Sequence, residues 1–350
     1  MADGYLDPST IRRLAAELDL RPSKQRGQNF LIDANQVRRI VQLAQVGADS
    51  TVLEIGPGLG SLTAGLLAAG ASVQAVEIEA SLARRLPRTM LERQPAAAGR
   101  LTVVTADALT LTADQLRAAV GDQTSPAAGA ETRETAGGPT HPNLELGRPR
   151  TNDPTPTPVE SADPTGVSQE STDPTDASVN STDPDLLVAN LPYNVAVPVL
   201  LHCLAIFPSL TGGVVMVQRE VADRLVASPG GKIYGVPSAK LAWYAEANFA
   251  GLVPATVFWP QPRVESGLVR LIRRDPPVTT ASRAEVFALI DLAFGQRRKM
   301  LRSALSGHYP ADRLQAAFGV AEIDPTARGE TLAITDFARL AAAIQSSDPT

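Results

Sequence analysis

The chain has 350 residues, 44% of them apolar, and a formal net charge of −5. That length exceeds one usual domain and the apolar share supports real cores, so a globular main domain with a smaller one is expected. A single cysteine, Cys203, excludes an intramolecular disulfide and leaves too few thiolates for zinc, so no metal is expected and a reducing cytoplasm fits. The polar start MADGYLDPSTIRR and the lack of any run near the roughly 18 apolar residues of a membrane span argue against export or a membrane anchor.

The first informative stretch is TVLEIGPGLGSLTAGLLAAG, residues 51 to 70. It begins as a buried strand, turns through Gly56, Gly58 and Gly60, and continues with helical periodicity from Ser61. Glycines in such a turn let the backbone approach a ligand, and the helix start offers free N–H groups. About 20 residues on, SVQAVEIE (72 to 79) reads as a second strand ending near Glu77, whose carboxylate could accept two ribose hydroxyls. A nicotinamide fingerprint is GxGxxG; here the third glycine comes one position early, and GxGxG favours S-adenosylmethionine. The competing reading is a glycine turn that merely permits tight packing of strand on helix.

A third strand, LTVVTADAL (101 to 109), carries Asp107, which either reads an adenine amino group or caps the next helix. Beyond it the composition changes. Between Gly121 and Asp185 stand twelve acidic and three basic side chains, net −9, so the remainder of the chain carries +4. With few large apolar residues and a loosely repeated (S/T)xDPT unit, residues 121–184 are expected to form a disordered acidic insertion within the first domain.

DLLVAN then reads as a fourth strand ending at Asn190, followed by LPYN. These polar residues sit at strand C-terminal ends, the edge where open parallel sheets bind ligands. The turn suits an exocyclic amine. The Asn190 oxygen and a backbone carbonyl of the turn could accept the two hydrogens of an adenine N6, Pro192 shapes the turn without a competing donor, and Tyr193 could stack on the base. Alternatively, NLPY is an Asn-capped turn with a packed tyrosine. From about residue 276 the pattern is helical, with Ser282 as a cap before RAEVFALIDLAF and RGETLAITDFARLAAAI as a last helix. Arg297, Arg298, Lys299 and Arg302 cluster without an acid, as either a solvated face or a phosphate contact.

In order, GQNFLID (27 to 33), EIGPGLGSLT (54 to 63), VEIE (76 to 79), ADA (106 to 108), NLPYN (190 to 194), VFWPQPRVES (257 to 266) and AFGQRRKMLRSAL (293 to 305) make the chain resemble the small-subunit (16S) ribosomal RNA adenine N6,N6-dimethyltransferases. The resemblance implies an α/β, Rossmann-like S-adenosylmethionine-dependent methyltransferase sheet over 1–275, with GLVRLIRR (267 to 274) as a late antiparallel strand. A small all-helical RNA-binding domain over 276–350 would follow. It implies cofactor contacts from Asn29, Leu31, Gly56, Gly58, Glu77, Asp107 and Asn190. Asn190 and the Pro192 carbonyl would hold the amine, and Tyr193 and Phe258 would sandwich the base. Phe258 gains its role only from that pattern, since an aromatic before WPQP is more often core.

The implied activity is dimethylation of two adjacent adenines near the 3′ end of small-subunit ribosomal RNA in an immature 30S particle, by a monomer acting late in ribosome biogenesis. Two departures from the family pattern are the acidic insertion and the bulky Trp259 after Phe258. Two other readings compete: an RNA-binding ribosome-assembly factor, and a large-subunit methyltransferase of the macrolide-resistance type. FGQRRKMLR with RGETL favours the small-subunit enzymes over the latter.

Overall fold

The computed structural model describes residues 4–20, 29–124 and 182–347. Nine strands are present among them: β1 (Phe30–Leu31), β2 (Thr51–Ile55), β3 (Ser72–Glu77), β4 (Leu101–Thr105), β5 (Leu186–Asn190), β6 (Gly212–Gln218), β7 (Ala245–Val253), β8 (Phe258–Trp259) and β9 (Ser266–Arg273). Seven form one sheet in the order β4-β3-β2-β5-β6-β9-β7. The pairs from β4 through β6 are parallel, whereas β9 runs antiparallel to both β6 and β7. This is a Rossmann-like α/β sheet, with GLVRLIRR antiparallel as expected. The remaining strands, β1 and β8, make a separate antiparallel ribbon.

The central strands lack polar alternation because they are buried on both faces. In β2 and β5, Val52, Leu53, Ile55, Leu187, Val188 and Ala189 are all nearly inaccessible, the continuous apolar run of a parallel sheet covered by helices on each side. The chain leaves β2 toward β3 on one side and returns through β5 on the other. The strand order therefore reverses between β2 and β5, which opens a crevice at their carboxyl ends.

The ends of the acidic segment differ from the expectation. The helix Ala113–Thr124 runs past position 121, and Asp183 and Asp185 belong to the sheet's rim. Asp183 is buried and receives a two-pronged hydrogen bond from Arg117, Nε to Oδ1 and Nη2 to Oδ2, both 2.8 Å. The Thr182 carbonyl accepts from Gln74 Nε2 at 2.6 Å. Composition hides these residues because a lone acid is read as solvated until its partner, 66 positions away, is known. Residues 125–181, the bulk of the expected insertion, lie outside the described residues.

After β9 the described elements are helical. The helix Arg283–Gly295 is capped reciprocally, the Glu285 amide donating to Ser282 Oγ at 3.3 Å and the Ser282 amide to Glu285 Oε2 at 2.8 Å. The last helix begins only at Ile334, because Asp336 accepts from the Ala333 amide at 2.9 Å and a 3-10 turn over Gly329–Thr331 precedes it. These helices share one hydrophobic cluster with the sheet: Val215 and Val217 of β6, with Tyr244 just before β7, join Leu289, Phe337 and Ile344. Trp243 and Tyr244 meet Phe287 edge-on at centroid distances of 6.1 and 6.0 Å. Among the described residues, no helix is long and apolar enough to cross a membrane and no group of three or more His, Cys, Asp or Glu could hold a metal.

Removing Arg117 takes a two-pronged, charge-assisted contact away from a buried carboxylate. Arg117→Ala is expected to cost about 2–3 kcal/mol, measured as a lower urea midpoint at unchanged slope.

Candidate active site

The glycine turn begins where β2 ends. The Gly56 amide donates to the Val76 carbonyl at 2.9 Å, Gly60 closes a turn onto the Pro57 carbonyl at 2.9 Å, and the helix Ser61–Ala68 starts at once. Gly58 has φ +58°, and a Cβ there would lie 2.9 Å from the Phe30 ring, so the position demands glycine on both counts. The Gly58 amide donates to Glu77 Oε2 at 3.1 Å and the Glu79 amide to Glu77 Oε1 at 2.9 Å. Both carboxylate oxygens are thus aimed by backbone donors. Burial nevertheless pushes the Glu77 carboxyl above its ordinary range.

Asp107 stands beyond β4 and is not the helix cap. Its Oδ1 accepts from the Leu109 amide at 2.9 Å, whereas Thr112 and Gln115 cap the helix reciprocally, at 2.9 and 3.2 Å. Asp107 is exposed and lines the same cavity as Glu77.

On the other side of the reversal, β5 ends with Asn190. Its Nδ2 donates to the Asn29 carbonyl at 3.1 Å, which fixes the amide so that Oδ1 faces away from that carbonyl as an acceptor. The Pro192 carbonyl accepts from the Val195 amide at 3.2 Å and keeps a second lone pair. A Cβ at Gly56 would lie 3.9 Å from the Pro192 ring, so the glycine turn and the NLPY turn abut.

A cavity of about 530 Å³ lies between them, lined by Asn29, Leu31, Gly56, Gly58, Glu77, Asp107, Asn190 and Pro192 among others. That volume is usual for an organic cofactor. Tyr193 and Phe258 do not line it. The Tyr193 hydroxyl shares a 2.8 Å hydrogen bond with Ser266 Oγ, burial raising its phenol, and Phe258 is 3% exposed in β8 opposite Leu31. Phe258 is a packed ring in this structure, and Tyr193 is half-buried.

Among the other residues that line the cavity, Ile78, Leu109 and Glu54 are not expected as site residues from the sequence. Ile78 and Leu109, 68% and 37% exposed, present apolar side chains to the cavity. Glu54 lies inside β2 at 1% exposure and accepts from Thr63 Oγ1 at 2.7 Å, and burial raises its carboxyl to about 8. An acid within the apolar run TVLEI is the signal that could have revealed it.

The basic quartet is divided. Arg297 is half-buried and spoken for, its Nε donating to Glu330 at 2.7 Å and its Nη2 to the Lys232 carbonyl at 2.7 Å. Arg298, Lys299 and Arg302 are exposed.

Because Glu54 holds its proton more tightly folded than unfolded, the native state loses stability as pH rises from about 4.5 toward about 8. Glu54→Gln keeps the Thr63 hydrogen bond and removes this dependence, making the negative slope of unfolding free energy against pH shallower by up to about 1.4 kcal/mol per unit in that window. Urea unfolding at a series of pH values reads it directly.

Comparison with known proteins gives this geometry a family. The chain matches the family described as ribosomal RNA adenine dimethylase over residues 20–346. It is 50% identical to the ribosomal RNA small subunit methyltransferase A of Cutibacterium acnes, across 97% of this chain and 95% of that one. Against the protein of the same name from Thermobifida fusca the figures are 48%, 96% and 95%. Among solved structures, a dimethyladenosine transferase from Plasmodium falciparum aligns at TM-score 0.57 and 18% identity over 89% of this chain and 95% of that one. The 23S rRNA methyltransferase ErmE aligns at TM-score 0.53 and 21% identity over 91% and 100%. At those identities the structures speak for the fold alone. A match along nearly the whole chain, with relatives of similar extent at about half identity, means that this protein belongs to the ribosomal RNA adenine dimethylase family.

Proposed function

We propose that this chain transfers methyl groups from S-adenosylmethionine to N6 of two adjacent adenines near the 3′ end of small-subunit ribosomal RNA, two per base. The observation that carries the reading is the Asn190 carboxamide, rotated by the Asn29 carbonyl so that its oxygen is left for a substrate amine. The relatives at 45–50% identity are named as small-subunit methyltransferases, which favours this target over a large-subunit one; ErmE, at 21%, shares the fold. We further propose that the substrate is an immature 30S particle and that the protein acts as a cytoplasmic monomer.

The cavity's donor set fits the cofactor. Glu77 would accept the ribose hydroxyls, Asp107 the adenine amino group, and Ile78 and Leu109 would contact the ring. Asn29, Leu31, Gly56 and Gly58 would border the remainder. When bound, the cofactor supplies an electrophilic methyl on a positively charged sulfur.

The protein's own share is orientation. Asn190 Oδ1 and the Pro192 carbonyl would each accept one N6 hydrogen, turning the nitrogen lone pair out of conjugation and along the line of transfer. The methylated nitrogen, cationic for a moment, is acidic enough to release its proton to these acceptors or to water. No strong base is required. Tyr193 and Phe258 would offer ring faces to the base once the Tyr193–Ser266 bond and the packing around β8 open to admit it. Arg298, Lys299 and Arg302 would meet RNA phosphates, while Arg297 holds the neighbouring loop through Glu330 and the Lys232 carbonyl.

Asn190→Ala is expected to lower methylation of unmethylated 30S particles by at least about 10²-fold even at saturating S-adenosylmethionine. Mass spectrometry of the two ribosomal RNAs reads both the loss and the target. Undiminished transfer would remove Asn190 from the mechanism, and dimethyladenosine in the large-subunit RNA instead would favour the other target. Replacing Arg298, Lys299 and Arg302 together by Ala should weaken RNA binding and flatten its dependence on log salt by up to about 0.9 for each phosphate no longer neutralised.

A further inference from the structure

The ribbon of β1 and β8 is two residues long on each side. A pairing that short holds little by backbone hydrogen bonds alone. Yet β1 forms a wall of the cavity, and three parts of the site are fastened to it. Ser61 Oγ, in the first turn after the glycine loop, donates to the Leu31 carbonyl at 2.6 Å. Asn190 Nδ2 donates to the Asn29 carbonyl at 3.1 Å. The Phe30 ring lies against Gly58, close enough that a Cβ there would sit 2.9 Å away.

Trp259 packs on that same ring. It pairs with Phe30 across the ribbon, the ring centroids 6.4 Å apart and the planes 25° from parallel. Trp259 is half-buried and does not line the cavity, and the Ile32 amide completes the ribbon by donating to the Val257 carbonyl at 2.9 Å. The tryptophan therefore meets neither the cofactor space nor the Asn190 amide; it braces the strand that both depend on.

We propose that Trp259 is a positioning residue for the methyl donor: its indole presses Phe30 onto the glycine turn, so that filling the cavity and seating the indole stabilise the same arrangement of β1. The inference rests on the reading of the cavity as an S-adenosylmethionine site. Its consequence is reciprocal. Whatever tightens β1 against the turn must be felt at the indole, and whatever loosens the indole must weaken the donor.

S-adenosylhomocysteine is the probe, titrated calorimetrically into the full-length wild type, Trp259→Ala and Trp259→Phe. Losing an aromatic pair of this kind is expected to weaken binding roughly two- to tenfold in Trp259→Ala, with Trp259→Phe restored to within about twofold. The rise in melting temperature on saturation should shrink in the alanine variant; a purely structural residue would lower the melting temperature of free and loaded protein alike. A second measurement leaves Trp259 in place. The chain has two tryptophans, so Trp243→Phe makes Trp259 the sole indole reporter, and its emission should shift on saturation. Equal affinity in Trp259→Ala, or unmoved emission at saturation, overturns the proposal. If the alanine variant does not fold, the emission titration decides alone. A wild type that takes up no S-adenosylhomocysteine would instead overturn the cofactor reading.

Discussion

The parallel pairing of β2 with β5 is the constraint on which the site depends. Their shared start is clasped twice: the Asp185 amide donates to the Thr51 carbonyl at 2.8 Å, and Asp185 Oδ1 accepts from the Thr51 amide at 2.9 Å. Two strands begun together and running in the same direction release their chains at the same edge. One release becomes the glycine turn and the other becomes NLPY, so donor and acceptor chemistry meet without any loop having to carry them there. Everything between Asp107 and Asn190 in sequence has to return to that clasp. The Arg117–Asp183 pair, two residues ahead of Asp185, anchors the returning chain beside it. A long excursion between such anchors costs little extra closure entropy, since the cost grows only with the logarithm of length.

Much of the arrangement is legible in the residues themselves. Gly56, Gly58 and Gly60 announce a turn, and Glu77 and Asn190 end apolar runs of strand length; periodicity needs no partner to be read. What stays hidden depends on partners distant in sequence. Glu54 looks like an interruption in an apolar strand until Thr63 and the cavity are seen together. Asp107 looks like a cap until Thr112 and Gln115 take that task. Arg297 is indistinguishable from Arg298 by composition, yet one is bonded to Glu330 and the other is exposed. Strands of two residues fall below what any pattern can signal, which is why the ribbon of β1 and β8 emerges only from the structure.

Tyr193 and Phe258 mark a different boundary. Motif order assigns both to a base-stacking role, whereas here one hydroxyl is tied to Ser266 and one ring is enclosed beside Leu31. On the proposed reading, a pocket for a flipped base made of such residues would keep the Phe258 ring out of water until the base arrives. Opening it would then fall to the substrate's own stacking energy, so an unstructured single strand with no other grip on the protein would be a poor substrate.

The hydrophobic cluster that joins the sheet to the terminal helices would give that grip a fixed length. Val217 and Tyr244 on one side and Phe337 and Leu289 on the other belong to one packed interior. The helices flanking the exposed cations near Arg298 pack into the same cluster as the sheet that carries Asn190. On the proposed reading, an enzyme built this way would select its adenines as a caliper would, by how far they lie from a docked phosphate surface, and would tolerate changes in base sequence better than changes in the shape of the particle.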